Sequence, residues 1–87
     1  MAYRIEFLKT AERELAALPQ DAQRQIARKL EALRENPRPP GAKLLHAKER
    51  FYRLRVGDYR VIYVIESRRL MILVIKIGHR KDVYKTL

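Results

Sequence analysis

The chain has no cysteine and no tryptophan, only three glycines and two histidines, and half as many acidic residues as basic ones. Each shortage removes a class of function. Without cysteine there is no disulfide, no thiolate metal site and no cysteine nucleophile. His46 and His79 stand far apart, and neither has other ligands at metal spacing beside it, so neither a metal centre nor a cofactor is expected. The longest apolar run, Leu70–Ile75, is six residues, whereas a membrane helix needs about 20. No apolar signal region opens the N-terminus. These features predict a soluble cytoplasmic protein with no membrane partner.

What is present is a single domain, residues 1–87, 47% hydrophobic and 34% charged, as folded proteins commonly are. The charge balance is less ordinary. Twenty Lys and Arg against ten Asp and Glu leave a formal charge of +10. An excess of that size on a short chain points to an anionic partner, with nucleic acid the favoured class. A merely solubilising surface is the plainer alternative.

Tyr3–Leu8 alternates apolar and polar residues, as a strand with one buried face does. A first helix is expected from an N-cap at Thr10, with Glu12 and Glu14 near its positive end and Pro19 ending it. A second runs from about Gln20-Asp21 to Glu35, where Ala22, Ile26, Leu30 and Leu33 form an apolar stripe at helical spacing. Asn36–Gly41, with three prolines, is a loop. Lys43–His46 reads as a short strand or edge segment, Ser67-Arg68-Arg69 as a turn, and the unbroken apolar run Leu70–Ile75 as a strand covered on both faces. The predicted fold is two-layer α+β: two N-terminal helices on one face of a mainly antiparallel sheet of four or five strands, in the order strand, helix, helix, strands. Two helices cover one face only, and a ligand could lie on the other.

Phe51–Val56 and Tyr59–Ile65 flank Gly57-Asp58, the signature of a hairpin with a two-residue turn. That register sets Val56 opposite Tyr59, Arg55 opposite Arg60 and Arg53 opposite Ile62. Alternation then gathers Tyr52, Leu54, Val56, Tyr59, Val61 and Tyr63 on one face. Arg53, Arg55 and Arg60 share the other. Like charges placed directly across a ladder weaken it, and a bound polyanion would offset that cost. The hairpin therefore reads as the floor of a phosphate site. The last strand should bring His79 and Arg80 beside Tyr59 and Arg60, with Gly78 freeing the backbone to turn. Next to arginines, His79 is the candidate proton-transfer group. Tyr84 is a candidate for stacking on a base.

The run Phe51–Tyr63 together with Ile77–Tyr84 resembles the RelE branch of the RelE/ParE toxin superfamily, and the likeness extends over nearly the whole chain. The resemblance implies a prokaryotic toxin–antitoxin module whose toxin enters the ribosomal A site, contacts ribosomal RNA there and cuts messenger RNA. In that chemistry the RNA's own 2′-hydroxyl attacks the adjacent phosphate, leaving a 2′,3′-cyclic phosphate and a 5′-hydroxyl, with no metal required. It implies that Arg60 and Arg80 hold the scissile phosphate and that Tyr84 stacks on a base and helps activate the hydroxyl. Arg53 and Arg55 stand where the best-studied pattern has lysines. Arginine stays protonated, so these two can neutralise charge but cannot serve as a base; His79 is then the candidate acid or base, as histidine serves in some other branches of the family, with the direction of proton transfer left open. The resemblance further implies an acidic antitoxin, with a heterotetramer as one form of the complex. The chain stops three residues after Tyr84, so the longer C-terminal helix of some relatives is expected to be reduced or absent. Two other readings compete: a ParE-like gyrase poison, and a non-catalytic nucleic-acid binder whose affinity follows total charge.

Overall fold

The computed structural model describes residues 2–46, 50–80 and 83, with His46 described in its backbone alone. The order is β1 (Arg4–Phe7), α1 (Lys9–Ala16), α2 (Gln20–Leu33), β2 (Ala42–His46), β3 (Phe51–Val56), β4 (Tyr59–Glu66), a 3-10 turn at Ser67–Arg69, and β5 (Met71–His79). The strands form one mixed sheet in the order β1-β5-β4-β3-β2. Only β1 and β5 pair in parallel; the remaining neighbours are antiparallel. This is the α+β layering expected from the sequence, with β5 in the interior of the sheet.

Both helices lie on one face. The stripe of α2 delivers Ile26, Leu30 and Leu33, and α1 delivers Ala11, onto Leu54, Val56, Val61, Tyr63, Ile72, Val74 and Ile77. Burying each large apolar side chain in such a layer contributes about 1.5–3 kcal/mol, which outweighs the weak propensity of short helices to form alone. The N-terminus of α1 differs from expectation. Helix begins at Lys9, directly after the extended Leu8, and Thr10 lies inside the first turn; no side chain caps it. Pro19 sits at the N-cap of α2, where its missing N–H does no harm.

The loop after α2 is tied to the sheet through an aromatic pair. Tyr63 stacks on Tyr52 with ring centroids 5.7 Å apart, and its hydroxyl donates to the Pro37 carbonyl at 2.7 Å. Arg38 lies over the Tyr52 ring and donates to its hydroxyl at 3.0 Å. Burial, with a smaller push from Tyr52, raises the Tyr63 phenol to about 12, Arg38 acting the other way. The folded state therefore holds this proton more tightly than the unfolded chain, whose tyrosine titrates near 10. The stabilisation is complete below about pH 10 and is lost as pH rises towards 12. Tyr63→Phe should flatten the fall in denaturation midpoint across that window. It should also cost about 1 kcal/mol at neutral pH through the lost hydrogen bond. Chemical denaturation at pH 8 and pH 11 checks both.

The far face is not wholly open. Ile62, which alternation points away from the helices, is fully buried, and Met71, whose sulfur accepts from Arg4 at 3.6 Å, is nearly so. Val83 is also fully buried. It comes within 3.0 Å of where a side chain at Gly78 would begin. Gly78 lies in strand with no positive φ. Its missing side chain therefore makes room for Val83 rather than a turn. Among the described residues, no helix is long and apolar enough to cross a membrane.

Candidate phosphate-binding site

The hairpin register is the one its turn dictates. Val56 pairs with Tyr59, Arg55 with Arg60, Leu54 with Val61 and Arg53 with Ile62. Gly57 takes φ +58° at the first turn position, while Asp58 is not left-handed. That combination is the II′ form, whose twist suits a right-handed hairpin. Leu54 and Val56 are buried under the helices, which leaves Arg53 and Arg55 on the far face with Arg60.

Two rows of residues cross that face. The outer row is Arg55, Arg60 and Gly78; the inner row is Lys43, Arg53, Ile62 and Lys76. Lys43 is an addition that the sequence did not reveal, because its strand was only loosely legible. Directly opposed residues lie about 5 Å apart at Cβ, and the rows about 7 Å apart. Arg60 uses Nη1 to donate to its own turn, at 3.1 Å to the Gly57 carbonyl and 2.9 Å to that of Tyr59. Those bonds hold the guanidinium over the end of the hairpin, and its Nε–Nη2 edge has no hydrogen-bond partner among the described residues. Two parallel N–H groups on one edge match two oxygens of a phosphate. Arg55 is exposed directly across from it.

β5 arrives where expected, with Tyr59 opposite His79 and Arg60 opposite Gly78. The N–H of Arg80 then donates to the Asp58 carbonyl at 2.8 Å, carrying the ladder one residue past the strand. The faces differ from the sequence expectation in one respect. His79 pairs with Tyr59, and its ring meets the Tyr59 ring edge-on at 6.1 Å, on the helix side of the sheet. Alternation puts Arg80 on the arginine side instead. The sheet thus gathers Arg53, Arg55, Arg60 and Arg80 on one face and holds His79 around the end of the strand. Tyr84 lies outside the described residues. The buried Val83 anchors the chain one residue before it, against the outer row.

The fold has counterparts among solved structures, and the sequence has relatives among known proteins. Residues 5–84 match the family described as ParE toxin of the type II toxin–antitoxin system, parDE. An Escherichia coli protein described as a RelE-like toxin is 34% identical over 87 residues, which cover 97% of this chain and 92% of that protein. A protein of Methanocaldococcus jannaschii described as toxin RelE1 is 31% identical, with 98% of each chain covered. The crystal structure of the archaeal RelE–RelB complex from Pyrococcus horikoshii superposes with a TM-score of 0.83 at 28% identity, covering 95% of this chain and 100% of that one. The matched family and both relatives lead to one assignment: the chain belongs to the RelE/ParE superfamily, as a RelE-like toxin of the type II toxin–antitoxin class.

Proposed function

We propose that this toxin is a ribosome-dependent, metal-independent endoribonuclease that cuts messenger RNA by attack of a 2′-hydroxyl on the adjacent phosphate. The observation that carries the reading is the direct opposition of Arg55 and Arg60, with no ion pair to either among the described residues, on a face the helices do not cover. As the 2′-hydroxyl gives up its proton and its oxygen bonds to phosphorus, the 5′-oxygen leaves and takes up a proton to become a hydroxyl, and negative charge grows on the phosphoryl oxygens in between. Fixed guanidinium groups stabilise that charge more than the ground state. Arg60 and Arg80 hold the scissile phosphate, Arg53 and Arg55 neutralise its surroundings, and Tyr84 stacks on the neighbouring base. The ring of His79 lies on the Tyr59 side, so its part in moving the proton is that of a rim group. His79→Ala should therefore lower the rate less than tenfold, with its pH profile little changed. A hundredfold loss with one arm of the profile removed would restore it as the acid or base.

The direct test incubates wild-type protein with programmed ribosomes and separately with naked RNA. Cleavage on the ribosome supports the reading, and no cut in either removes it. A second reading rests on the matched family, which is named for ParE. A gyrase poison on this fold has no need of the arginine face, so gyrase inhibition that survives Arg60→Ala would favour it.

The partner in this proposal is an acidic antitoxin laid over the arginine face, in a heterotetramer or smaller complex. The counterpart in the Pyrococcus horikoshii crystal structure is a complex with RelB. Attraction at an exposed basic face is screened by salt. Association should slow about tenfold or more between 50 mM and 500 mM salt, measured by stopped flow.

A further inference from the structure

The strand β5 contains one residue too many. Its pairing with β4 runs in step from His79 to Lys76, opposite Tyr59 to Ile62, then resumes with Val74 opposite Tyr63, so that Ile75 has no partner of its own. The core registers the consequence. Ile72 and Val74 lie in the helix-side core two residues apart, as a strand requires, but the next core residue is Ile77, three further on. Without the extra residue, strict alternation would turn His79 to the arginine face and Arg80 away from it. The bulge reverses both.

β1 ends at Phe7, so beyond Val74 the outer edge of β5 has no strand beside it among the described residues. Glu14 of α1 fills that place. One carboxylate oxygen accepts the Ile77 N–H at 3.0 Å and the other meets the Lys76 ammonium at 2.8 Å. The Glu14 side chain is only 30% exposed and that of Lys76 20%. Glu14 thus bonds the two residues that follow the bulge, where an unbonded edge could slip back by one. We infer that Glu14 is a positioning residue: by clamping the Ile75 bulge, it fixes the parity that presents Arg80, and not His79, beside Arg60. Bulges often re-aim side chains next to active sites. Here the device lies on the opposite side of the sheet edge from the chemistry. The catalytic consequence rests on the nuclease reading above; the clamp itself does not.

Two variants and a control test it. Glu14→Gln keeps an oxygen for the Ile77 N–H, whereas Glu14→Ala leaves that N–H without an acceptor. Ala16→Gly loosens α1 from an exposed position that touches neither partner. On programmed ribosomes, Glu14→Ala should lower the saturating cleavage rate about tenfold or more with less than a threefold change in half-saturating ribosome concentration. Glu14→Gln should stay within about threefold of wild type, and Ala16→Gly should keep its rate while lowering Tm. Amide exchange, which needs no activity, should quicken at Ile77 and His79 in Glu14→Ala but not in Ala16→Gly. Unchanged exchange at Ile77 overturns the clamp whatever the enzyme does. Faster exchange with an unchanged cleavage rate, or an equal rate loss in Ala16→Gly, overturns the positioning role. If wild type cuts nothing while Ile77 exchange responds as described, the nuclease reading fails and the clamp stands.

Discussion

Arg60→Ala should cut the rate of mRNA cleavage on programmed ribosomes by about 10²–10³-fold, the usual loss when one fixed donor to a developing oxyanion is removed. The fold should not suffer with it. Arg60 stands opposite Arg55, and like charges in that relation destabilise a ladder by about 0.2–1 kcal/mol. The bonds that Arg60 Nη1 makes are to the carbonyls of an exposed turn, which water can replace. The two stability terms oppose each other and both are small. Tm should therefore hold or rise slightly while activity collapses. Lysine at position 60 would keep the charge but not the flat edge, so Arg60→Lys should recover only part of the loss. Thermal denaturation beside single-turnover cleavage separates these effects. A lost rate that tracked a lost Tm would mark Arg60 as structural.

The second large effect is expected at a residue with no side chain. Gly78 shares the outer row with Arg55 and Arg60, and a Cβ there would stand 3.0 Å from a methyl of Val83. Gly78→Ala requires Val83 to yield by a few tenths of an ångström. Gly78→Val adds two further methyl groups in the same space and should expel Val83 from a fully buried position. Overpacking of this kind costs about 1–3 kcal/mol. It should also abolish cleavage by more than its effect on stability explains, because the anchored residue immediately precedes Tyr84. Alanine should be intermediate in both measurements. If Gly78→Val folds and cuts at the wild-type rate, Val83 does not position the chain's end.

The hairpin was readable because every local signal agreed. Gly57-Asp58 fits one turn class, and the alternation on both sides of it allows one register. The stripe of α2 was equally legible from Ala22, Ile26, Leu30 and Leu33, all of which are buried. The face of His79 was not, for a definite reason. Leu70–Ile75 is apolar at every position, so an inserted residue leaves no trace in the pattern. The bulge shows only in the pairing and in the three-residue step from Val74 to Ile77. Glu14 reads from the sequence, with Glu12, as an acid suited to the positive end of its helix. Its bond to Ile77 joins residues 63 apart in sequence, beyond the reach of any local rule. Gly78 was read through its backbone freedom, whereas its use here is the space it leaves.

Everything assigned to the arginine face depends on the RNA supplying its own nucleophile. The most direct test is therefore made on the substrate: programmed ribosomes carrying either an all-ribose message or one with a single 2′-deoxy sugar at the scissile position. The account predicts cleavage of the first, with a 2′,3′-cyclic phosphate on the upstream fragment, and none of the second. Cleavage of the deoxy message at the same bond would contradict it.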